Sequence, residues 1–257
     1  LLFKCSQNGS LPGLSLQLGN YVRTNSEALV AAKARGGDED YSKGLAISTG
    51  IYPDAYTHIE TVRYGQGQDV MSLLATSLTG GGKPWPRPLR WLAATFRHPI
   101  RVIRNLNPFG WAKRTIVLLV MQTRSNYMRL EFKRRWWRLG GRSMNTFWTT
   151  DQRVPSHIPV ANDFAKRMAA KMKGDAFSVL PEVVFDTSST AHILGGCIMG
   201  ASAADGVIDF TGKVHGYDNL YVVDGSMVPA NLGVNPSLTI TAMAEYVMSQ
   251  LPEKQDP

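Results

Sequence analysis

The sequence predicts a mixed α/β chain, α+β overall, and three observations carry that reading. Between residues 43 and 75 two runs rich in β-formers, GLAISTGIYP and THIETVRYG, partly alternate apolar with polar positions. Residues 158–177 show helical spacing in IPVANDFAKRMAAKMKG, with Gly174 as the stop. Near the C-terminus the short apolar strand LYVVD, a turn-rich loop and an apolar helix follow one another. The 257 residues are 44% hydrophobic, enough for one large domain or two modest ones. With 24 Gly and 14 Pro, many turns are expected rather than long helices.

In chain order, residues 1–30 read as a polar, glycine-bearing lead-in. LLFKCSQNG resembles the end of an apolar helix, with no basic n-region, long apolar stretch or cleavage site, so no signal peptide is indicated. The chain opens on Leu1 rather than Met, which implies a trimmed or partial N-terminus. Cys5 and Cys197 are too few for a secreted disulfide scaffold. No apolar run reaches the roughly 18 residues of a membrane span, and TIVLLVMQT (115–123) is strand-length. A cytoplasmic or peripherally membrane-associated location is expected.

Residues 80–150 are basic and tryptophan-rich. Short helices are expected there, broken at Pro88, Pro99 and Pro108, and KRRWWRLGG (133–141) reads as a hairpin with its cations in solvent. The net charge of +8 is concentrated here: from Arg87 to Arg142 fourteen Lys/Arg accompany one acid, Glu131. No nucleic-acid reading module is recognisable. RPLRWLAATFRHPIRVI suits either a solvated basic face or an interfacial helix with snorkelling arginines.

The C-terminal stretch is richest in chemistry. LYVVD ends in Asp224-Gly225, and Asn235-Pro236-Ser237 is a good helix entry, with Asn or Ser as cap and Pro in the first turn. Strand end and helix start then point Asp224 and free amides at one edge, where a polar or anionic ligand is favoured. Asp224 suits acceptance from sugar-alcohol hydroxyls, or else caps its own turn. In TAHILGGCIMG, His192 and Cys197 supply only two ligands, short of a zinc site, so no metal is expected. Cys197, between Gly196 and Ile198, reads as inert packing. His192 is either a hydrogen-bonded core histidine or a general base.

TAHILGGCIMG followed by GVIDFTGKVHGYDNLYVVDGSMVPANLGVNPSLTITAMAE closely resembles the end of the glucose–methanol–choline (GMC) flavoprotein oxidoreductases, in particular the bacterial cholesterol oxidase-like branch. The resemblance implies the C-terminal part of an FAD-binding Rossmann-like domain and a substrate domain on a largely antiparallel sheet. Residues 1–30 would be a returning segment of the FAD domain, 31–185 the substrate domain, and 186–257 the catalytic and FAD-binding segment. It also implies oxidation of a lipophilic alcohol, a sterol or steroid, by hydride transfer to FAD.

Position by position, His192 matches the histidine that contacts or deprotonates the alcohol, and Asn235 its partner across the flavin. Asp224 and Gly225 match the FAD-contacting pair at the strand end. Pro236 and the helix start at Ser237 match the pyrimidine side of the ring. The family's commonest form has Pro after the histidine, where Ile193 stands here. In THIETVRYG, Glu60 matches a glutamate over the steroid that isomerises the first product; without the resemblance it reads as a strand-surface acid beside His58 or Arg63. The family's GxGxxG loop is absent: GGGKPWP and GQGQD lack the spacing. The resemblance therefore implies an FAD-binding half supplied in cis or in trans. The alternative is a non-catalytic fragment or subunit that binds a lipid surface or that partner chain.

Overall fold

A computed structural model describes residues 1–82, 84–136, 140–148 and 153–252. In chain order it contains α1 (Leu2–Gln7), β1 (Ala28–Ala34), β2 (Ile47–Asp54), β3 (Thr57–Val62), β4 (Ala75–Ser77), α2 (Arg87–Arg97), α3 (Pro99–Leu106) and α4 (Trp111–Arg114). There follow β5 (Thr115–Gln122), β6 (Met128–Arg134), β7 (Arg142–Trp148), α5 (Pro159–Lys171), β8 (Gly174–Val179), α6 (Leu180–Val184) and α7 (Ser237–Ser249). They form two compact units: residues 1–25, 123–154 and 191–257 make one, and residues 26–122 and 155–190 the other.

The second unit is built on a six-stranded sheet in the order β2-β3-β5-β1-β8-β4, with every pair antiparallel. The period of two along the strands sorts its side chains. Ile59, Leu118, Val120, Ala28 and Val30 share one core with Ile158, Ala161 and Ala165 of the α5 segment. Alanines on α5 let the helix lie close to the sheet. Ala31, Val117 and Phe177 pack with Trp111, Ala112 and Ala75 in a second cluster.

Two strands lie where the sequence predicts none. ALVAAKA, alanine-rich and straddling the expected lead-in, is β1, which pairs with both β5 and β8 and carries six of its seven residues fully buried. The helix expected to stop at Gly174 ends at Lys171, and Gly174 opens β8. A side chain at Gly174 would collide with the Lys33 carbonyl, so the glycine is required by strand approach, while Lys173 takes the left-handed position past the helix at φ +48°. The expected short helices are present, divided at Pro99 and around Pro108, whereas Pro88 lies within the first turn of α2 and marks its start.

Buried charge ties α3 to the sheet. Lys33 donates from Nζ to the carbonyls of Arg104, Asn105 and Asn107, closing the C-terminal end of α3. Burial, with Arg114 and Arg104 nearby, lowers its pKa to about 8. Asp175 receives Arg35 at 2.8 Å, Arg104 at 2.6 Å and Arg101 at 3.5 Å. Burial disfavours its charge, yet these arginines outweigh it and hold the carboxyl below its ordinary range.

In the first unit β6 and β7 form a hairpin from Met128↔Trp148 to Arg134↔Arg142. The segment 133–141, expected as a hairpin, overlaps the end of β6 and the connection to β7, and its residues 137–139 lie outside the described residues. Residues 123–154 therefore group with the chain ends and not with the expected 31–185 segment: Val22 and Met128 exchange backbone bonds, and Leu130 donates to Gly19. The C-terminal core gathers Cys197, Val207, Ile208, Val214, Val222, Met227 and Val247. LYVVD is extended chain rather than a laddered strand: its backbone pairs with the 212–214 segment through the Lys213↔Tyr221 bridge and two flanking bonds.

Candidate functional site

The loop carrying His192 is held on both sides by backbone. Arg23 and Leu194 exchange N–H···O bonds of 2.7 and 3.0 Å, Gly19 donates to Gly196 at 2.8 Å, and Gly195 and Cys197 donate to Gly225 and Ser226 at 3.0 Å each. Those bonds explain the double glycine. Gly195 has φ +71° and any side chain there would collide with the Tyr21 carbonyl oxygen, while a Cβ on Gly196 would press on Val22 at 3.1 Å. What the glycines approach among the described residues is the 19–22 backbone. His192 is half-buried and hydrogen-bonded or otherwise engaged.

Asp224 closes the adjoining turn. Its Oδ1 accepts from the Ser226 N–H at 2.8 Å and the Ser226 hydroxyl at 2.5 Å, capping the short 3₁₀ turn Gly225–Met227. Asp224 is exposed, and Oδ2 carries no hydrogen bond among the described residues. A Cβ on Gly225 would sit 3.2 Å from both the Ile193 carbonyl oxygen and Ile240 Cδ1. The glycine is thus the point where the histidine loop, the Asp-Gly turn and α7 come together. Pro236, rather than Asn235 or Ser237, holds the cap position of α7 and makes no side-chain cap bond, and Ser237 and Leu238 in the first turn are exposed. Asp224, Gly195, Gly196 and Ser226 also line an apolar-walled cavity of about 400 Å³ with Leu2, Phe3, Leu18 and Leu220.

Two asparagines that sequence reasoning passes over hold the loop before α7. Asn25, fully buried at φ +54°, accepts the Gly233 N–H and donates to the Val234 carbonyl, each at 2.9 Å. Asn231, also buried, donates to the carbonyls of Arg124 (2.6 Å) and Asn126 (3.1 Å) and to the Asn126 side chain (2.9 Å). Asn235 is therefore presented from a loop fixed by side-chain bonds on its N-terminal side. A buried polar residue inside a polar lead-in leaves no periodic signal, so Asn25 is invisible without its partners. Cys197 is buried in the C-terminal core, and burial pushes its thiol up, away from nucleophilic use.

Glu60 belongs to the second unit. It lies mid-strand on β3, opposite Leu119 of β5 and Gly50 of β2, and is buried rather than on the strand surface. His58, on the same face, places Nδ1 3.6 Å from Glu60 Oε1, an ion-pair distance and not a hydrogen bond. Its ring stacks on Tyr52 with centroids 4.4 Å apart. Gly50 leaves the space that the imidazole fills, since any side chain there would collide with Nε2.

The GMC oxidoreductase family model matches residues 119–244. A cholesterol oxidase from Acinetobacter baumannii is 43% identical over 254 residues, covering 99% of this chain and 45% of its own length. One from Mycobacterium tuberculosis is 44% identical over 260 residues, covering 99% and 44%. A long-chain-alcohol oxidase from Arabidopsis thaliana is 41% identical over 66 residues, 26% of this chain and 9% of its own. The chain thus spans less than half the length of the two cholesterol oxidases it matches. With the histidine loop, the Asp-Gly turn and α7 all inside the matched span or running out of it, the chain belongs to the GMC oxidoreductase family and carries its C-terminal domain.

Proposed function

We propose that this chain supplies the catalytic histidine and part of the flavin site of an FAD-dependent enzyme that oxidises a lipophilic alcohol, with a sterol or steroid as substrate class. The observation that carries the proposal is the convergence on Gly225 of the His192 loop, the Asp224 turn and the start of α7.

These residues fit FAD. An exposed carboxylate whose Oδ2 has no bond among the described residues suits a hydroxyl-bearing ribityl or ribose chain. The first turn of α7, entered through Pro236, which makes no side-chain cap bond, offers N–H donors and a positive dipole end to electron-rich ring or phosphate oxygens. Asp224, Gly225, Asn235, Pro236 and Ser237 would hold the group. When bound, FAD supplies the acceptor for hydride from the alcohol carbon.

His192 takes the hydroxyl proton, a task suited to imidazole near neutral pH. Asn235 donates to the alcohol oxygen and orients it without adding charge. To Glu60, buried on a strand with His58 beside it, we assign the proton shuttle that isomerises a β,γ-unsaturated ketone. The 43–44% identity to cholesterol oxidases across the whole chain supports the sterol class.

A panel of alcohols tests the substrate. Mixed anaerobically with the FAD-loaded protein, a 3β-hydroxysterol should bleach the flavin, and short polar alcohols should bleach it far more slowly. Faster bleaching by the polar alcohols sinks the sterol reading. Release of hydrogen peroxide on admitting air distinguishes an oxidase from a dehydrogenase.

A further inference from the structure

The imidazole of His58 is held more closely than packing alone asks. His58 and Glu60 stand two positions apart on β3, so they share a face of the sheet, and each is only 7% exposed. Opposite them β5 presents Met121 and Leu119, both buried, and β2 presents Gly50. Tyr52 covers one side of the imidazole in a near-parallel stack, with 7° between the rings. Gly50 closes the Nε2 end, where any Cβ would collide with that nitrogen. Between these neighbours the ring turns Nδ1 toward Glu60 Oε1 at 3.6 Å. Nδ1 is buried and makes no hydrogen bond among the described residues. A buried ring nitrogen in that state calls for an explanation, since an aliphatic side chain would fill the space without the cost.

Shuttling a proton makes a geometric demand that supplies one. To bring a β,γ-unsaturated ketone into conjugation, a carboxylate takes a proton from the carbon between the carbonyl and the alkene. The bonding pair left behind spreads into a dienolate. The same proton then returns at the far alkene carbon, and the carboxyl group ends ionised as it began. One oxygen must therefore reach two carbons in turn, and a carboxyl group that rotates freely loses that aim. Hydrogen bonds that serve such a step are often long before substrate binds and tighten in its complex.

We propose that His58 is the positioning residue of this shuttle: its Nδ1–H holds Glu60 Oε1, and the carboxyl group pivots on that oxygen while Oε2 carries the proton. Tyr52 and Gly50 keep the imidazole from turning away. This rests on the reading of Glu60 as the shuttle and deepens it by naming the group that aims the carboxyl.

Isomerisation is read by itself when the FAD-loaded protein is given the β,γ-unsaturated ketone of a 3β-hydroxysterol and the ultraviolet absorbance of the conjugated product is followed. His58→Leu should lower kcat about ten-fold with KM unchanged, the loss expected of a misaimed group. His58→Asn sets an amide N–H close to where Nδ1 stands and should recover most of that loss. Tyr52→Ala, at a position 68% exposed, loosens the ring without altering a core and should lower kcat about three-fold. Glu60→Gln separates the two claims. If it loses the step while His58→Leu keeps the wild-type kcat, Glu60 remains the shuttle and His58 is packing only. His58→Asn as slow as His58→Leu overturns the positioning role in the same way. Isomerisation by Glu60→Gln at the wild-type rate removes both. Where His58→Leu fails to unfold cooperatively, Tyr52→Ala decides: a slowed kcat supports the clamp and a wild-type kcat overturns it.

Discussion

At the scale of single residues, two positions give the sharpest tests of how the site is held. Gly195 faces the Tyr21 carbonyl at positive φ, whereas Gly216 has φ +82° and open space where a Cβ would stand. Gly195→Ala should therefore destabilise by about 3 kcal/mol or more, and Gly216→Ala by about 1 kcal/mol, since only the first adds a backbone collision to left-handed strain. Denaturant unfolding checks the difference; equal values contradict the packing described. Asn25 combines two buried hydrogen bonds with φ +54°. Asn25→Ala should cost about 1–3 kcal/mol for the lost bonds, and Asn25→Gly should be less damaging because glycine accepts that φ. If Asn25 positions Asn235, both variants slow flavin reduction by bound alcohol more than they raise KM.

At the scale of elements, helices and central strands are legible where period and composition agree. TIVLLVMQT, THIETVRYG and the C-terminal apolar run form β5, β3 and α7 because their apolar residues sit at strand or helix spacing. Alanine hides β1, since ALVAAKA has the composition of a helix and becomes a strand only by pairing on both sides. The α7 cap departs from expectation because Asn235 and Ser237 have the right chemistry but Pro236 takes the position. His192, Asp224 and Asn235 are legible through motif order, whereas the clamp by Asn25 depends on a partner 208 residues away.

α6 carries a pH-dependent element. Glu182 is fully buried, accepts the Leu29 N–H at 3.0 Å through Oε1, and leaves Oε2 with no hydrogen bond among the described residues. Burial raises its pKa to about 8, against the pull of Leu29 and Arg87. The folded state thus holds this proton more tightly than the unfolded chain, whose carboxyl titrates near 4.5. Its stabilising effect is complete below that lower value and is lost as pH rises through about 8. Glu182→Gln, neutral at every pH, should flatten the fall in unfolding temperature between pH 5 and 8, removing a contribution of up to about 4 kcal/mol. An unchanged slope would show that Glu182 is not the titrating group.

At the scale of the whole molecule, two units with separate cores divide the candidate residues. One carries His192, Asp224 and Asn235, and the other carries Glu60 and the basic α2–α3 face. Sequence order does not reveal this division, because residues 123–154 return to the first unit through backbone pairing that no local pattern encodes. In the flavin-loaded protein, Asp224→Ala should weaken FAD retention by about ten-fold, the worth of one charged hydrogen bond, as read by flavin release on dilution. Retention equal to wild type would remove Asp224 from the cofactor site.

The central claim is that His192 removes the proton from the alcohol. Anaerobic stopped-flow mixing of FAD-loaded His192→Ala protein with a 3β-hydroxysterol tests it most directly. The proposal predicts flavin bound as in wild type and its reduction slowed by about 100-fold or more, the range of a lost general base. Reduction at the wild-type rate would contradict it.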